Sequence, residues 1–439
     1  MVVVLALQCV VLFAVSAIEY DRYALGVGFG TYAQAWHAIA HGTFAPYSTL
    51  IHKAFWRNDA EFILWPLSLL SFLFPHAVDL LWAQDLALVL TEYVALRWVC
   101  DILDTRPGLA LDPVLSPAAL LALVGSPFVY YAAAYDLHSE VFVALFAVLT
   151  ARALWLGSTR VGWVWAALTL ASSGLGGLYL VGVAVSGLVR PGRRKAATGL
   201  LVCGVAWLAF VTAVGGNEFG FSNSLSEWYG YLVGPHHGHV GVADVVLGIL
   251  RHPWTAVSHV LSRTGYLVVM LLPVGLVGLL SAWGWPMALV VLVPSALNAN
   301  VAFVNPKASF QNWAALPFVL VGSVLVLRAW WARRGVGPRV VRAAGALWLL
   351  ALVVVAASLF PALPRFWVSV DAPAGAALAR AAARIPPGAE VIGSWGVVGR
   401  FAERFHTYAY GPLSARLPVD RRTVVFILAP GQGNFEVTP

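Results

Sequence analysis

The sequence predicts an all-α polytopic membrane domain followed by a small C-terminal α/β module, and three observations carry that prediction. Hydrophobic residues make up 60% of the 439-residue chain and charged residues only 11%, with a mean hydropathy of +0.80. A soluble chain carries roughly twice that charge fraction. Apolar runs long enough to span a bilayer recur from the first residues to about residue 360, and beyond them the composition turns polar. The positive charges fall in a few groups, as the positive-inside rule requires of a multi-pass protein.

The candidate spans are 2–18, 77–99, 114–135, 141–156, 196–214, 265–282, 286–304, 313–327 and 340–360. The first lacks a basic leader and a small-residue cleavage site, so it reads as a retained span and not as a signal peptide. The stretch 161–189 is too long for one upright helix, and Ser172, Ser173, Gly174, Gly176 and Gly177 break it. Charge decides how to count it. Arg152 and Arg160 precede it, Arg190, Arg193, Arg194 and Lys195 follow it, and Arg328, Arg333, Arg334, Arg339 and Arg342 form the next group. For all three groups to be cytoplasmic the broken stretch must enter and return, which gives about eleven crossings, N-terminus cytoplasmic and C-terminus outside.

On that topology the outside segments are 19–76, 136–140, 215–263, 305–310 and everything after about 361. Phe29, Tyr32, Ala33, Trp36, Ile39 and Ala40 repeat at helical spacing, with Thr31, Gln34, His37 and His41 opposite. This pattern predicts an amphipathic helix lying in the membrane interface. The stretch 61–74, interrupted by Pro66, reads as a second one. In the tail, 374–384 reads as a helix stopped by Ile385-Pro-Pro-Gly388, with strands at 390–393 and 423–428 and a helix at 397–404 between them. The chain is therefore divided into 1–361 and 362–439, and the tail module, ending soon after its second strand, is expected to be truncated.

Chemistry gathers outside. Of twenty acids, ten fall at the outside face of the membrane domain: Glu19, Asp21, Asp59, Glu61, Asp79, Asp136, Glu140, Glu218, Glu227 and Asp244. Glu19 and Asp21 stand at the mouth of the first span, placed to act as base or metal ligand, or merely to cap the span. Tyr135-Asp136-Leu137-His138-Ser139-Glu140 joins two spans with almost no linker. Asp136, His138 and Glu140 read as candidate ligands for a divalent cation such as Mg or Mn, against a bland alternative in which Asp136 or Ser139 caps the next helix. His236, His237 and His239 share one loop without a nearby carboxylate or Cys, so a solvated tip is the better reading. Asp85 and Glu92 lie seven apart within a span, serving either function or hydrogen bonds to neighbours such as Asn298 or Asn300. Cys9, Cys100 and Cys203 sit in apolar runs without metal-type spacing and read as packing residues. No basic cluster interleaved with stacking aromatics occurs, so no nucleic-acid partner is expected.

A first span ending in acid, two interfacial helices, a polar hairpin turn, a broken helix pair and an outside tail together resemble a GT-C-type membrane glycosyltransferase. Within that superfamily the chain is most similar to predicted bacterial polytopic membrane proteins of unknown function. The matching stretches are Gly30 to Gly42 with Gln34 and Trp36, Asp136 to Glu140, Gln311 to Phe318, and Ile385 to Val391. The resemblance implies a plasma-membrane enzyme that transfers a sugar from a polyprenyl-phosphate-linked donor to an acceptor at the outer leaflet. It implies Glu19 or Asp21 as catalytic acid, and His138 and Glu140 supporting a metal or the donor phosphate. Two departures stand out: Ser172–Gly177 lacks the charged cluster usual at that turn, and Gly28 and Gly30 stand where an acid usually precedes Gln34. Contacts to the donor then fall to Gln34, Lys53, Arg57 and Lys307, with Arg251 and Arg263 as further cations. A transporter or lipid flippase, or a non-catalytic envelope protein of the same fold, is the alternative.

Overall fold

The structure is a computed structural model that describes residues 1–74, 76–104, 112–215, 221–234, 240–300, 304–305, 311–334, 337–367, 369–410 and 419–433. The longer helices in order are α1 (Val2–Asp21), α2 (Val27–Ala40), α3 (Val78–Asp104), α4 (Asp112–Val124), α5 (Pro127–Ala133), α6 (Glu140–Leu156), α7 (Thr159–Ser172), α8 (Gly176–Leu188) and α9 (Arg194–Gly215). They continue with α10 (Phe221–Val233), α11 (Val242–Arg251), α12 (Pro253–Ser262), α13 (Thr264–Leu271), α14 (Trp285–Leu297), α15 (Leu316–Arg334), α16 (Pro338–Leu359) and α17 (Ala372–Arg384). Five strands, β1 (Tyr47–Ser48), β2 (Lys53–Ala54), β3 (Glu390–Ser394), β4 (Thr407–Tyr410) and β5 (Val424–Ile427), complete the regular structure.

The protein is a helical membrane protein with several spans. Among the described residues five helices are long and apolar enough to cross a membrane, or six if Pro253–Ser262 and Thr264–Val274, bent by 56°, form one span. The five are Val2–Asp21, Val114–Ala133, Pro191–Ala213, Asn312–Arg333 and Arg342–Arg365. Other expected spans fall short for visible reasons. α6, α7 and α8 have 17, 14 and 13 residues, and α3 carries Asp85, Glu92 and Arg97 along its middle. The break expected near Ser172–Gly177 is present, because α7 ends at Ser172 and α8 starts at Gly176.

The chain forms two compact units. The first comprises Met1–Ala6, Ala87–Ala132 and Glu140–Pro361. Its helices approach closely where side chains vanish: a Cβ on Gly177 would lie 2.7 Å from the Gly204 carbonyl oxygen, and one on Gly204 2.8 Å from that of Gly177. Small residues at such crossings replace the hydrophobic drive that lipid cannot supply. The expected single helix over 265–282 is corrected here. α13 stops at Leu271 and 3₁₀ turns follow over Leu272–Val274 and Leu276–Leu280, because Pro273 lacks an amide hydrogen and Gly275 takes φ +85°. Ser323 Oγ donates to the freed carbonyls of Val274 (2.8 Å) and Gly275 (2.6 Å), so the broken backbone keeps its partners.

The second unit comprises Leu7–Leu86, Ala133–Ser139 and Ala362–Pro439, so the tail shares a unit with the first loop. α2 is its centre, and the face expected to be wet is covered by protein. One side of α2 buries Phe29, Tyr32 and Trp36 against Phe55, Leu64 and Leu80; another buries Val27 with Leu50, Val398 and Ala402. Thr31 and Gln34, on the expected wet face, are buried too, and only the last turn with His37 emerges. The second expected interfacial helix resolves into Leu64–Ser68 and a 3₁₀ turn Leu69–Phe72, with Leu69, Phe72 and Leu73 exposed. In the tail, α17 is capped by Asp371, whose Oδ1 accepts from the Ala374 amide at 2.7 Å. The strands pair in the order β4-β3-β5, all parallel. β4 was not anticipated, and the helix expected at 397–404 is a 3₁₀ turn, Gly399–Glu403.

Candidate functional site

Three segments of the second unit bring acids together. The last turns of α1 carry Ser16, Glu19 and Asp21, the first turns of α3 carry Gln84 and Asp85, and the turn 134–139 carries Asp136, His138 and Ser139. The first loop adds Glu61. Glu19, Glu61, Asp85 and Asp136 are all buried. Buried carboxylates are costly unless hydrogen bonds or neutralisation compensate, so their partners define the site.

Asp136 works on the backbone. Its Oδ1 accepts from the Phe29 amide at 2.9 Å and from its own neighbour Leu137 at 3.1 Å. The side chain thus closes the amino end of α2, which no residue of its own sequence caps. The approach needs Gly28, whose Cβ would lie 2.9 Å from Asp136 Oδ2. This is the physical meaning of the glycine at 28: the carboxylate arrives from 108 residues later in the chain, on a residue held at φ +80°. Burial pushes the Asp136 carboxyl up to about 7, against the pull of the amides of Phe29, Leu137 and Gly26.

Gln84 fixes the same turn. Its Nε2 donates to the Asp136 carbonyl at 2.9 Å and its Oε1 accepts from the His138 amide at 2.7 Å, so one side chain pairs like a strand edge with the turn. His138 Nε2 lies 2.9 Å from the Tyr135 carbonyl oxygen, an arrangement that assigns the proton to Nε2. Burial pushes this imidazole down to about 4, so it is neutral at physiological pH. Ser139 Oγ donates to Glu61 Oε1 at 2.7 Å, and the Tyr32 hydroxyl donates to the same oxygen. Ser16 Oγ donates to Asp85 Oδ2 at 2.7 Å, which makes Ser16, and not Asn298 or Asn300, the partner of this intramembrane acid. Glu19 stands within electrostatic reach of Asp85 and Asp136. Among the described residues, Glu19 Oε1 and Asp85 Oδ1 have no hydrogen-bond partner.

The two candidate catalytic acids therefore separate. Glu19 is 2% exposed, whereas the Asp21 side chain is 77% exposed. Arg400 Nη1 lies 3.9 Å from Asp21 Oδ1. Its guanidinium packs over the rings of Tyr20 (4.4 Å) and Tyr23 (4.6 Å) and reaches the carbonyls of Tyr20 (3.3 Å) and Asp21 (3.4 Å) at the end of α1. So exposed an ion pair is worth little by itself. Its effect is positional, with a cation on the carbonyl end of the helix.

Gln34 is corrected from ligand to structural residue. Its Oε1 accepts from Ser48 Oγ (2.8 Å) and the Thr49 amide (3.1 Å), and its Nε2 donates to Thr49 Oγ1 (2.8 Å), leaving a buried amide with its capacity used. Lys53 on β2 and Arg57, whose guanidinium lies 5.1 Å from the Trp56 ring centre, are partly exposed on the first loop. Glu140 opens α6 in the other unit and is buried there. Lys307, and the loop of His236, His237 and His239, lie outside the described residues. Among the described residues no three His, Cys, Asp or Glu side chains assemble into a group that could hold a metal ion. Asp136 spends Oδ1 on the amides of Phe29 and Leu137 and His138 donates from Nε2 to the Tyr135 carbonyl, so to a cation such as Mg or Mn these two expected ligands would offer Asp136 Oδ2 and His138 Nδ1.

Gln84 and Arg400 were not singled out by the sequence, while Glu61 was counted only among the outside acids and Ser139 only as a helix cap. Gln84 had a signal, as a polar residue next to Asp85 in an apolar run. Arg400 had none, since only the fold brings it to α1 across nearly the whole chain.

Among known proteins, a solved structure described as "Crystal Structure of ArnT from Cupriavidus metallidurans bound to Undecaprenyl phosphate" is similar at 15% identity and a TM-score of 0.48, over 94% of this chain and 86% of that one. No curated protein matches the sequence. A family model described as "Predicted membrane protein (DUF2079)" matches residues 26–416. That match takes in the first loop from residue 26 on, the acid-bearing turn and most of the tail, and the chain belongs to this family of predicted membrane proteins.

Proposed function

We propose that this protein is a GT-C-type membrane glycosyltransferase that moves a sugar from a polyprenyl-phosphate donor to an acceptor at the outer face of the cell membrane. The observation that carries the reading is one compact unit in which the end of α1, the first loop, the turn 134–139 and the tail surround buried carboxylates, with Asp21 exposed at the end of the first span. An acid that touches an acceptor must be reachable, which favours Asp21 over Glu19 as the base. In the transfer, the acceptor oxygen gives its proton to the Asp21 carboxylate as its bond to the anomeric carbon forms. The bond from that carbon to the phosphate oxygen breaks, and the electron pair leaves with the polyprenyl phosphate. Lys53 and Arg57 on the first loop supply positive charge for that leaving phosphate. Asp136 and His138 position α2 and the turn. No step is routed through a metal.

The topology that goes with this reading has about eleven crossings, a cytoplasmic N-terminus, and the tail 362–439 as a small α/β domain outside the membrane. The second reading, a transporter or flippase, is favoured by one observation, the buried Asp85 with an unpartnered oxygen deep between helices. The variants separate the two. Asp21→Asn is expected to lower sugar transfer in isolated membranes by about a hundredfold or more, the usual scale for a lost general base, with insertion intact. Asp85→Asn is expected to leave transfer within a few-fold. Loss of substrate uptake in Asp85→Asn, with full transfer in Asp21→Asn, would establish the transporter instead.

A further inference from the structure

Within the first unit, α11 and α12 bury one face and leave a second apolar face bare. The buried side packs Ala256 with Leu232 and Leu297, joined by Val245, Ile249 and Val260. On α11, Val242, Val246 and Leu250 recur at four-residue intervals and are exposed; on α12, Trp254, Val257 and Leu261 do the same at three and four. Leu250 is 70% exposed and Trp254 77%. A segment bathed in water does not carry two such stripes on consecutive helices.

We propose that α11 and α12 lie flat on the bilayer, their bare stripes seated among the lipid chains, as the interfacial platform of this protein. Length supports it: each helix has 10 residues, about 15 Å, half of what a hydrocarbon core requires. Charge places the elbow. Arg263 stands where α12 bends by 56° into α13, and its Nη2 contacts His259 Nε2 at 3.2 Å and the Asn298 carbonyl at 3.4 Å. A guanidinium at that bend belongs at headgroup depth, because the bilayer centre strongly disfavours a charged side chain. Arg251, exposed at the end of α11, marks the same level, and the only acid on the two helices, Asp244, is spent on the Gly241 amide at 2.9 Å. Basic flanks, aliphatic stripes and a single tryptophan are the composition of a helix in an anionic membrane surface. The chain then turns at Arg263 and descends.

The test places nitroxide labels singly at residues 250, 254 and 261, and at Thr255 on the far side of α12, in full-length protein whose native cysteines are replaced, reconstituted in vesicles of phosphatidylethanolamine and phosphatidylglycerol. Collision with oxygen, which partitions into lipid, and with a water-soluble nickel chelate is read by power saturation. The proposal predicts an oxygen-to-nickel ratio several-fold higher at 250, 254 and 261 than at 255, with similar shallow depths at the three. Equal nickel access at all four positions would overturn it in favour of a solvated loop. Protection from both reagents would overturn it in favour of a protein partner or a second copy. A steady deepening from 254 to 261 would make α12 the upper half of a span, and the flat placement would be wrong.

Discussion

Asp136 and His138 stand two residues apart in one turn and are driven in opposite directions by the same burial. Asp136 moves from 3.8 up to about 7, so between those values the folded protein holds a proton that the unfolded chain has lost. Its stabilising contribution is complete below 3.8 and disappears as pH rises through 7. His138 moves from 6.5 down to about 4, so its contribution is complete above 6.5 and disappears as pH falls towards 4. Between about 4 and 6.5 the two slopes offset each other. Removing one should unmask the other. Relative to the native protein, the melting temperature of His138→Gln is expected to fall as pH rises from 4 to 6.5, and that of Asp136→Asn to rise from 4 to 7. Detergent-solubilised protein followed by intrinsic fluorescence suffices, and identical pH profiles for both variants would show that neither group is held as described. At this scale the sequence marked the turn and was silent about its partners. The density of ionisable groups at Asp136–Glu140 marked the turn as special, but the amides of Phe29 and Leu137 that claim the carboxylate carry no sequence signature. Gln34 was misassigned for the same reason, since its partners Ser48 and Thr49 look like any loop residues until the fold buries them.

Between elements, the tail meets the first loop backbone to backbone. The Gly399 amide donates to the Leu25 carbonyl at 2.9 Å, and a Cβ on Gly399 would lie 2.6 Å from the Gly26 carbonyl oxygen. Since the obstacle is main chain, it cannot yield like a flexible side chain, and Gly399→Ala is expected to cost about 1–3 kcal/mol. Gly388→Ala, where nothing lies within 4 Å, should cost far less. Limited proteolysis reads the difference: the tail should be cut sooner in Gly399→Ala, and equal cutting in both would mean that this contact does not hold it. The helices and strands of the tail at 374–384, 390–393 and 423–428 were legible because local breakers and β-branched runs mark them. β4 was not, since Thr-Tyr-Ala-Tyr is short and its parallel partner β3 follows no hairpin rule. The pattern of α2 was read correctly as a helix, but its polar face is covered and not wet. An apolar face with a polar back looks the same whether the back meets water or a second layer of protein, and here Thr49 and the tail cover it.

For the whole molecule, composition alone settled the membrane class, and the apolar runs located most of the spanning material. Which loops come together was beyond periodicity, because the second unit is stitched from Leu7–Leu86, Ala133–Ser139 and Ala362–Pro439, whose contacts are non-local in sequence. The central claim is that this one unit, with Asp21 exposed and the tail built in, works at the outer face of the membrane. Every step proposed for a lipid-linked sugar depends on that side. The most direct test labels single cysteines on intact cells with a membrane-impermeant maleimide, in a full-length background lacking Cys9, Cys100 and Cys203. Gly388 in the tail and Gly192 between α8 and α9 are both exposed, with room for a side chain. The account predicts that Gly388→Cys reacts in intact cells, while Gly192→Cys reacts only after permeabilisation. Reaction of Gly388→Cys only after permeabilisation would place the unit and its acids in the cytoplasm, and would contradict a transferase acting at the outer leaflet.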